Sequence, residues 1–399
     1  MERQKTKKIS DDVTTSRGKS NSIPLDLIPE IIIGLPVKAL ARFLCVSKQY
    51  ASIIRNRDFV KSYLIKSSTR PQDLIFTFKS KRYGKHFFFS SSQPSNGDEP
   101  LSSVASYHMK CHSQPYTAIS PSVHGLICYG TPSKLMVYNP STRRSISLLK
   151  IDSQRTRMYH YLGYDPIDGD YKMLCMSRGM HVRRGRGLAH KIQVLTIGNG
   201  NQWRMIEDCP PPHSPESPHI CIDGVLYYGA YFDTGTRILR KDHAVMSFDV
   251  RSEKFELIKI PPERATKFTK MTRYNGKLAL MYSDKFRSYI GRIELWVLED
   301  AAKHEWSNTI FSLPRLACLK TMFQVYCATD DDDAGEFIVA PETLGAPPFY
   351  VLYYDPKKNS LRRVDIEGIT ETKLEYWDND LDRRTISIFP SQVENLMFL

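Results

Sequence analysis

Residues 23–64 read IPLDLIPEIIIGLPVKALARFLCVSKQYASIIRNRDFVKSYL, and the fold turns on them. Their apolar residues recur at helical spacing. Leu27, Ile28, Ile31 and Ile32 share one side, with Asp26 placed to cap the helix start. Pro29 falls in the first turn, where a missing N–H is tolerated because those donors have no intrahelical partner. Gly34 is placed to end this helix. Pro36 suits the first position of a second helix carrying Val37, Leu40, Phe43 and Leu44. Ser47 is expected to cap a third helix with Tyr50, Ala51, Ile53 and Ile54, and Asp58 a fourth with Phe59, Tyr63 and Leu64. So small a unit stands near the lower limit of independent folding, roughly 40 residues. Its richness in Ile, Leu, Val and Phe predicts that it covers apolar surface with a partner protein or with the rest of the chain.

Upstream, residues 1–22 are polar and basic, and a disordered tail is expected there. Met1 to Asp12 hold no apolar run that would make a secretory signal. Lys5, Lys7 and Lys8 are either a weak nuclear-import signal or simply solvated charge. Residues 1–66 hold 13 Lys and Arg against 6 Asp and Glu, more than half of the chain's net charge of +13. The remaining 333 residues are only mildly basic, unlike the dense basic stripe of a nucleic-acid-binding domain. Nucleic acid is therefore disfavoured as a partner. No uncharged apolar run reaches membrane-spanning length, so no membrane partner is expected. The eight cysteines include no CxxC pair and are expected as reduced thiols of the cytoplasm or nucleus.

Downstream of Arg70-Pro71 helical spacing gives way to short runs rich in Val, Ile, Tyr and Phe, broken by Gly, Asn, Asp and Pro. Examples are Leu74–Phe78, Phe87–Phe89, Gly125–Tyr129 and Gly224–Tyr228. An apolar strand, a turn and a second strand recur as a pattern. Asn139, Ile197, Asp249, Glu299 and Asp355 mark it, at intervals of 58, 52, 50 and 56 residues. A degenerate period near 50 residues matches kelch-like propeller blades. It predicts about six irregular blades, the first containing Leu74 to Phe89 and the last closing on Arg384 to Phe389. An irregular pair of β-sandwiches is the competing arrangement.

The N-terminal stretch resembles a plant-type F-box. The matching residues are Ile23-Pro24-x-Asp26-Leu27-Ile28-x-Glu30-Ile31, then Leu35-Pro36-x-Lys38-x-Leu40-x-Arg42-Phe43, Cys45-Val46-Ser47-Lys48, Ile53-Ile54 and Phe59. Gly34 stands where the family usually has Arg, Ala39 where Ser is common, and Tyr50 where Trp is usual. Residues 71–393 resemble the F-box-associated domain of the same proteins. The supporting pieces are Ser122-x-His124-Gly125-Leu126, Tyr138-Asn139-Pro140-Ser141-Thr142, Leu162-Gly163-Tyr164-Asp165-Pro166, Asp223-Gly224-x-Leu226-Tyr227 and Ser247-Phe248-Asp249. The resemblance implies an α+β multidomain chain. A helical F-box (23–66) is followed by a mainly antiparallel β domain built as a propeller of about six blades (71–393). It also implies a Skp-type adaptor and a cullin scaffold as partners, with an unidentified target protein held by the β domain. Adaptor contacts carry over to Pro24, Leu27, Ile28 and Ile31, to Leu35, Pro36 and Leu40, and to Val46 and Tyr50. Helix-in-groove recognition needs apolar anchors at such spacings.

The residues that carry chemistry elsewhere do not form its patterns here. Cys209, His213, His219 and Cys221 lack structural zinc spacing and sit among prolines. Asp330–Asp333 lack the ligand pattern of a calcium loop. Asp165, Asp168 and Asp170 suit a turn. There is no phosphate-binding loop, nucleophile elbow, zinc-protease or kinase motif. No catalytic residue, metal or cofactor is therefore expected, and the chain is expected to be a non-catalytic substrate receptor. The densest basic stretch, Arg178 to Lys191, offers Arg183, Arg184 and Arg186 to an acidic partner, or is only a solvated loop between strands. Tyr227, Tyr228, Tyr231 and Phe232 suit either a recognition surface or core. Three other functions compete: a propeller scaffold unconnected to ubiquitin, a propeller glycosidase, and an RNA binder acting through residues 178–191.

Overall fold

The computed structural model describes residues 24, 26–80, 85–93, 102–112, 118–131, 134–151, 157–178, 189–198, 202–208, 210, 212–232, 242–261, 270–283, 291–314, 323–327, 335–343, 349–369 and 385–398. Four short helices come first: α1 (Leu27–Ile32), α2 (Val37–Phe43), α3 (Lys48–Arg55) and α4 (Arg57–Ser68). The Ser47 hydroxyl caps α3 as expected, accepting from the Tyr50 N–H at 3.2 Å. Other helix boundaries differ from expectation. Asp26 has helical φ and ψ and makes no side-chain cap bond. Pro36 is the extended residue before α2, which begins at Val37. Asn56, not Asp58, caps α4, its Oδ1 accepting from the Asp58 and Phe59 N–H groups at 2.8 and 3.3 Å. Asp58 instead sits in the first turn, where a negative charge suits the helix dipole. α1 ends just before Gly34, as expected, with its cap residue Ile33 in right-handed conformation and no left-handed φ at Gly34.

The described β strands form six sheets, antiparallel except for one edge pair, arranged as a six-bladed propeller. Their inner strands follow the chain in order, from Ala118–Ile119 through Arg157–Asp165, Ser214–Ile222 and Lys270–Tyr274 to Phe323–Cys327. The ring closes on the first blade. There Thr385–Gln392 becomes the inner strand beside Asp73–Ser80, with Ile388 opposite Phe76 and Ile386 opposite Phe78. A second stitch ties the same junction. Ser102–Val104 leaves the first blade and pairs in parallel with the outer edge of the sixth, Ser102 opposite Asp365. The Ala105 N–H continues that pairing to the Glu367 carbonyl at 2.8 Å.

Every junction between neighbouring blades carries its own apolar cluster. Leu74, Phe76, Phe78 and Phe89 meet Ile338, Val351 and Tyr353 between the first and sixth blades. Ile75 and Phe88, pointing the other way, meet Ile127 and Tyr138 of the second. Strands buried on both faces explain why Phe87-Phe88-Phe89 is an unbroken apolar run rather than an alternating one.

The repeat seen in sequence is a repeated turn. Oδ1 of Asn139, Asp249, Asp300 and Asp355 accepts from a backbone N–H two or three residues on, ending the third strand of its blade. Four residues after each, Arg143, Glu253, His304 and Asn359 share a left-handed φ of 47–62°. In the fifth blade the turn residue is Asp300, one position beyond the Glu299 that marked the repeat in sequence.

Candidate functional site: the helical unit and its seat on the propeller

The expected adaptor contacts divide by helix face. Leu27 and Ile31, one turn apart on α1, stand 42% and 55% exposed, and Val46 after α2 stands 66% exposed. Pro24 and Pro36 are also exposed, and Leu35 is half-buried. Tyr50 is half-buried, packed edge-on against Phe43 with ring centroids 5.1 Å apart. Ile28 and Leu40 point inward. They join Ile32, Val37, Ile54, Phe59 and Tyr63 in the core of the unit. Adjacent positions on a helix face different ways, so Leu27 is offered outward while Ile28 is spent on the core. Beside α1 runs an open groove of about 640 Å³ lined by Pro29, Ile33, Ile53 and Phe59 among others.

Two further surfaces of the unit rest on the propeller. On α4, Arg57 Nε donates to the Asp168 carbonyl at 3.0 Å, and Arg57 Nη2 meets Asp170 at 2.9 Å. Lys61 Nζ donates to the Ile167 carbonyl. Asp165 holds that turn in shape by accepting from the Ile167 N–H at 2.8 Å, which matches its reading as a turn residue. Leu64 enters the cluster between the second and third blades.

The second seat is the segment following the last propeller strand. Gln392, Asn395 and Phe398 bind the second blade and its neighbour. Asn395 Nδ2 donates to the His124 carbonyl and to the Tyr171 hydroxyl, both at 2.7 Å. Asn139 Nδ2 donates back to the carbonyls of Asn395 and Met397 at 3.0 and 2.7 Å. From the same segment Leu396, 3% exposed, enters the core of the helical unit. Glu394 accepts from the Val37 N–H at 3.2 Å, from the Tyr63 hydroxyl at 2.7 Å and from Arg70 at 3.1 Å. Burial and the neighbouring Glu394 carboxylate push the Tyr63 phenol well above its ordinary pKa and keep it neutral. No periodic signal marks residues 394–398 in the sequence, and the Tyr171 and Asn139 partners of Asn395 lie 224 and 256 residues away.

Arg183, Arg184 and Arg186 lie outside the described residues, as do Cys209 and Asp330–Asp333. His213 meets the Tyr228 hydroxyl at 3.0 Å, and the Cys221 thiol donates to the Tyr164 carbonyl at 3.8 Å. Tyr228 is fully buried, and Tyr227, Tyr231 and Phe232 are half-buried. Among the described residues no helix is long and apolar enough to cross a membrane.

A helical unit of this sequence mounted on a six-bladed propeller defines a class, the plant F-box proteins. The chain belongs to the family of the F-box associated beta propeller domain, which matches residues 73–393, and the F-box domain family matches residues 21–62. It is similar to the F-box protein At2g21930 of Arabidopsis thaliana, with 52% identity and all of both chains covered. It is also similar to the putative F-box protein At4g38870 of the same plant, at 46% identity over 95% of this chain and 88% of that one. The F-box/kelch-repeat protein At3g04660, also from Arabidopsis thaliana, is 33% identical over 95% and 94%. No catalytic family is indicated by these matches, and an F-box domain implies binding to a Skp-type adaptor in general terms.

Proposed function

We propose that this chain is the substrate receptor of a Skp–cullin–F-box ubiquitin ligase acting in the cytoplasm or nucleus. The exposed apolar side chains Leu27, Ile31 and Val46 carry the reading, because they stay in water on a unit that already has its own core and is seated on the propeller. Large apolar side chains left in water on a seated unit suit a partner's groove, and a few such anchors usually supply most of the affinity. Pro24, Leu35, Pro36 and Tyr50 flank them. Ile28 and Leu40 act by shaping the unit from within. The propeller holds a target protein, and the complex raises the target's effective concentration beside the ubiquitin-carrying enzyme. The chain itself makes and breaks no bond.

The test is co-purification with a Skp-type adaptor, wild type beside a Leu27→Asp/Ile31→Asp/Val46→Asp variant. All three residues are exposed, so the variant keeps the wild-type circular dichroism. Its adaptor affinity is expected to fall at least about 100-fold, equivalent to roughly 3 kcal/mol. Equal binding by the two proteins, or no binding by folded wild type, would leave a propeller scaffold unconnected to ubiquitin.

A further inference from the structure

We propose that residues 393–398 are a working part of the adaptor-binding unit, with Glu394 and Leu396 as positioning residues. They fix the corner between α1 and α2 and set the unit's orientation on the propeller. This inference rests on the adaptor reading above.

The corner is residues 33–37, and it contains Leu35 and Pro36. Its Ile33 and Leu35 N–H groups turn back on the Pro29 and Ile32 carbonyls, both at 3.0 Å, and the carbonyls of Ile33 and Leu35 look outside it for partners. The Ile33 carbonyl accepts from Arg70 Nη2 at 2.8 Å, and the Leu35 carbonyl lies 3.4 Å from Arg70 Nη1 and 3.1 Å from the Tyr63 hydroxyl, whose single proton points to Glu394 at 2.7 Å. Glu394 orders both Arg70 and Tyr63, since it binds them with the same oxygen. Its other oxygen takes the Val37 N–H, one of the unpartnered donors at the start of α2. A carboxylate is therefore supplied where the helix dipole favours one, from a residue 357 positions away. Two residues later Leu396 fills the core formed by all four helices.

Between them Asn395 faces the opposite way, into the propeller. Its N–H donates to the Ser141 hydroxyl at 3.2 Å, and its side chain binds the second and third blades. Alternate residues of one extended segment thus grip two bodies. Space for it is reserved: a Cβ on Gly125 would stand 2.6 Å from the Val393 carbonyl oxygen and 2.9 Å from Asn395 Cβ. With α4 tied to the 165–170 turn, the unit is held at two separate places. Its adaptor surface then keeps one orientation relative to the propeller.

Three proteins test this in the full chain: wild type, Glu394→Ala and Glu394→Gln. Amide hydrogen exchange at 33–43 and adaptor affinity are measured on each. In Glu394→Ala, exchange at Val37 and its neighbours is expected to rise at least about tenfold while the fourth and fifth blades stay unchanged. Adaptor affinity is expected to fall about tenfold, and Glu394→Gln, which keeps the acceptor for the Val37 N–H, to fall in between. Leu396→Ala supplies a second route to the same loosening. Unchanged adaptor affinity in both Glu394→Ala and Leu396→Ala overturns the proposal. Faster exchange at 33–43 with no adaptor binding by wild type upholds the positioning role and removes the adaptor reading instead.

Discussion

Gly125 and Gly276 occupy the same place in their blades, second in a two-residue turn with both φ angles positive. His124-Gly125 joins Val123 to Leu126, and Asn275-Gly276 joins Tyr274 to Lys277. Such hairpin turns match the twist of the flanking strands and favour glycine second. The surroundings differ. Nothing lies within 4 Å of a Cβ on Gly276, whereas a Cβ on Gly125 meets the 393–395 backbone. Gly276→Ala is expected to cost only the left-handed penalty, roughly 1–2 kcal/mol. Gly125→Ala is expected to cost at least about 2 kcal/mol more, since a carbonyl and a Cβ must also move. Urea midpoints of the two variants check this, and equal losses would mean that the 393–395 segment yields freely. In the sequence His124-Gly125 is legible only as a glycine opening the apolar run Gly125–Tyr129, and no reading of the sequence marks Asn275-Gly276. The close approach was not legible, because no local pattern says which distant backbone passes over a glycine.

At the scale of helices, the sequence offered Asp26, Ser47 and Asp58 as N-terminal caps, and the chain uses Ser47 and Asn56. Asp26 and Asp58 have the right chemistry, yet neither accepts a cap bond. The Leu27 N–H goes to the Pro24 carbonyl at 3.1 Å, which removes the need for Asp26. Asn56 takes the α4 cap because α3 ends there, and one extended residue serves both helices. Asn56→Ala is expected to cost about 1 kcal/mol, as is Ser47→Ala, while Asp26→Ala and Asp58→Ala fall within about 0.5 kcal/mol. Chemical denaturation of the four variants distinguishes the two sets. A large loss at Asp58 with none at Asn56 would reverse the assignment. Helix existence was legible here from the apolar spacing, because that spacing reports burial directly. The caps were legible only in part: Ser47 was, but at the start of α4 Asn56 and Asp58 compete for the same role two residues apart. In the propeller the repeated Asn and Asp turn residues showed the blades even where strands were irregular. The sixth sheet's extra strand, Ser102–Val104, gave no such signal, because three residues are too few for a period.

Over the whole molecule, burial sets a shared response to pH. His86, His108, His124 and His160 are each pushed down to about 4, and His219 to about 3, chiefly by desolvation of the charged ring. They belong to the first four blades, so their effect is felt around most of the ring. His108 is held neutral between the Tyr138 hydroxyl at 2.8 Å and the Ser90 hydroxyl at 2.7 Å. In the unfolded chain these rings titrate near 6.5, roughly the ordinary histidine value. Above that pH both states bind no proton at these sites and the stability is fully present. As pH falls from about 6.5 towards 4 the unfolded chain takes up protons that the folded chain refuses, so stability is lost. Near pH 5 unfolding should take up roughly four protons, a slope of about 5 kcal/mol per pH unit. The urea midpoint should therefore be level between pH 7 and 8 and drop steeply between pH 6 and 4.5. Carboxylates cannot imitate this: Glu299, Asp300 and Asp355 have lowered pKa values, so their loss begins only at more acid pH. A midpoint that stays level down to pH 5 would show that the folded propeller admits protons to these rings. It would also undo the tight blade junctions from which their burial follows.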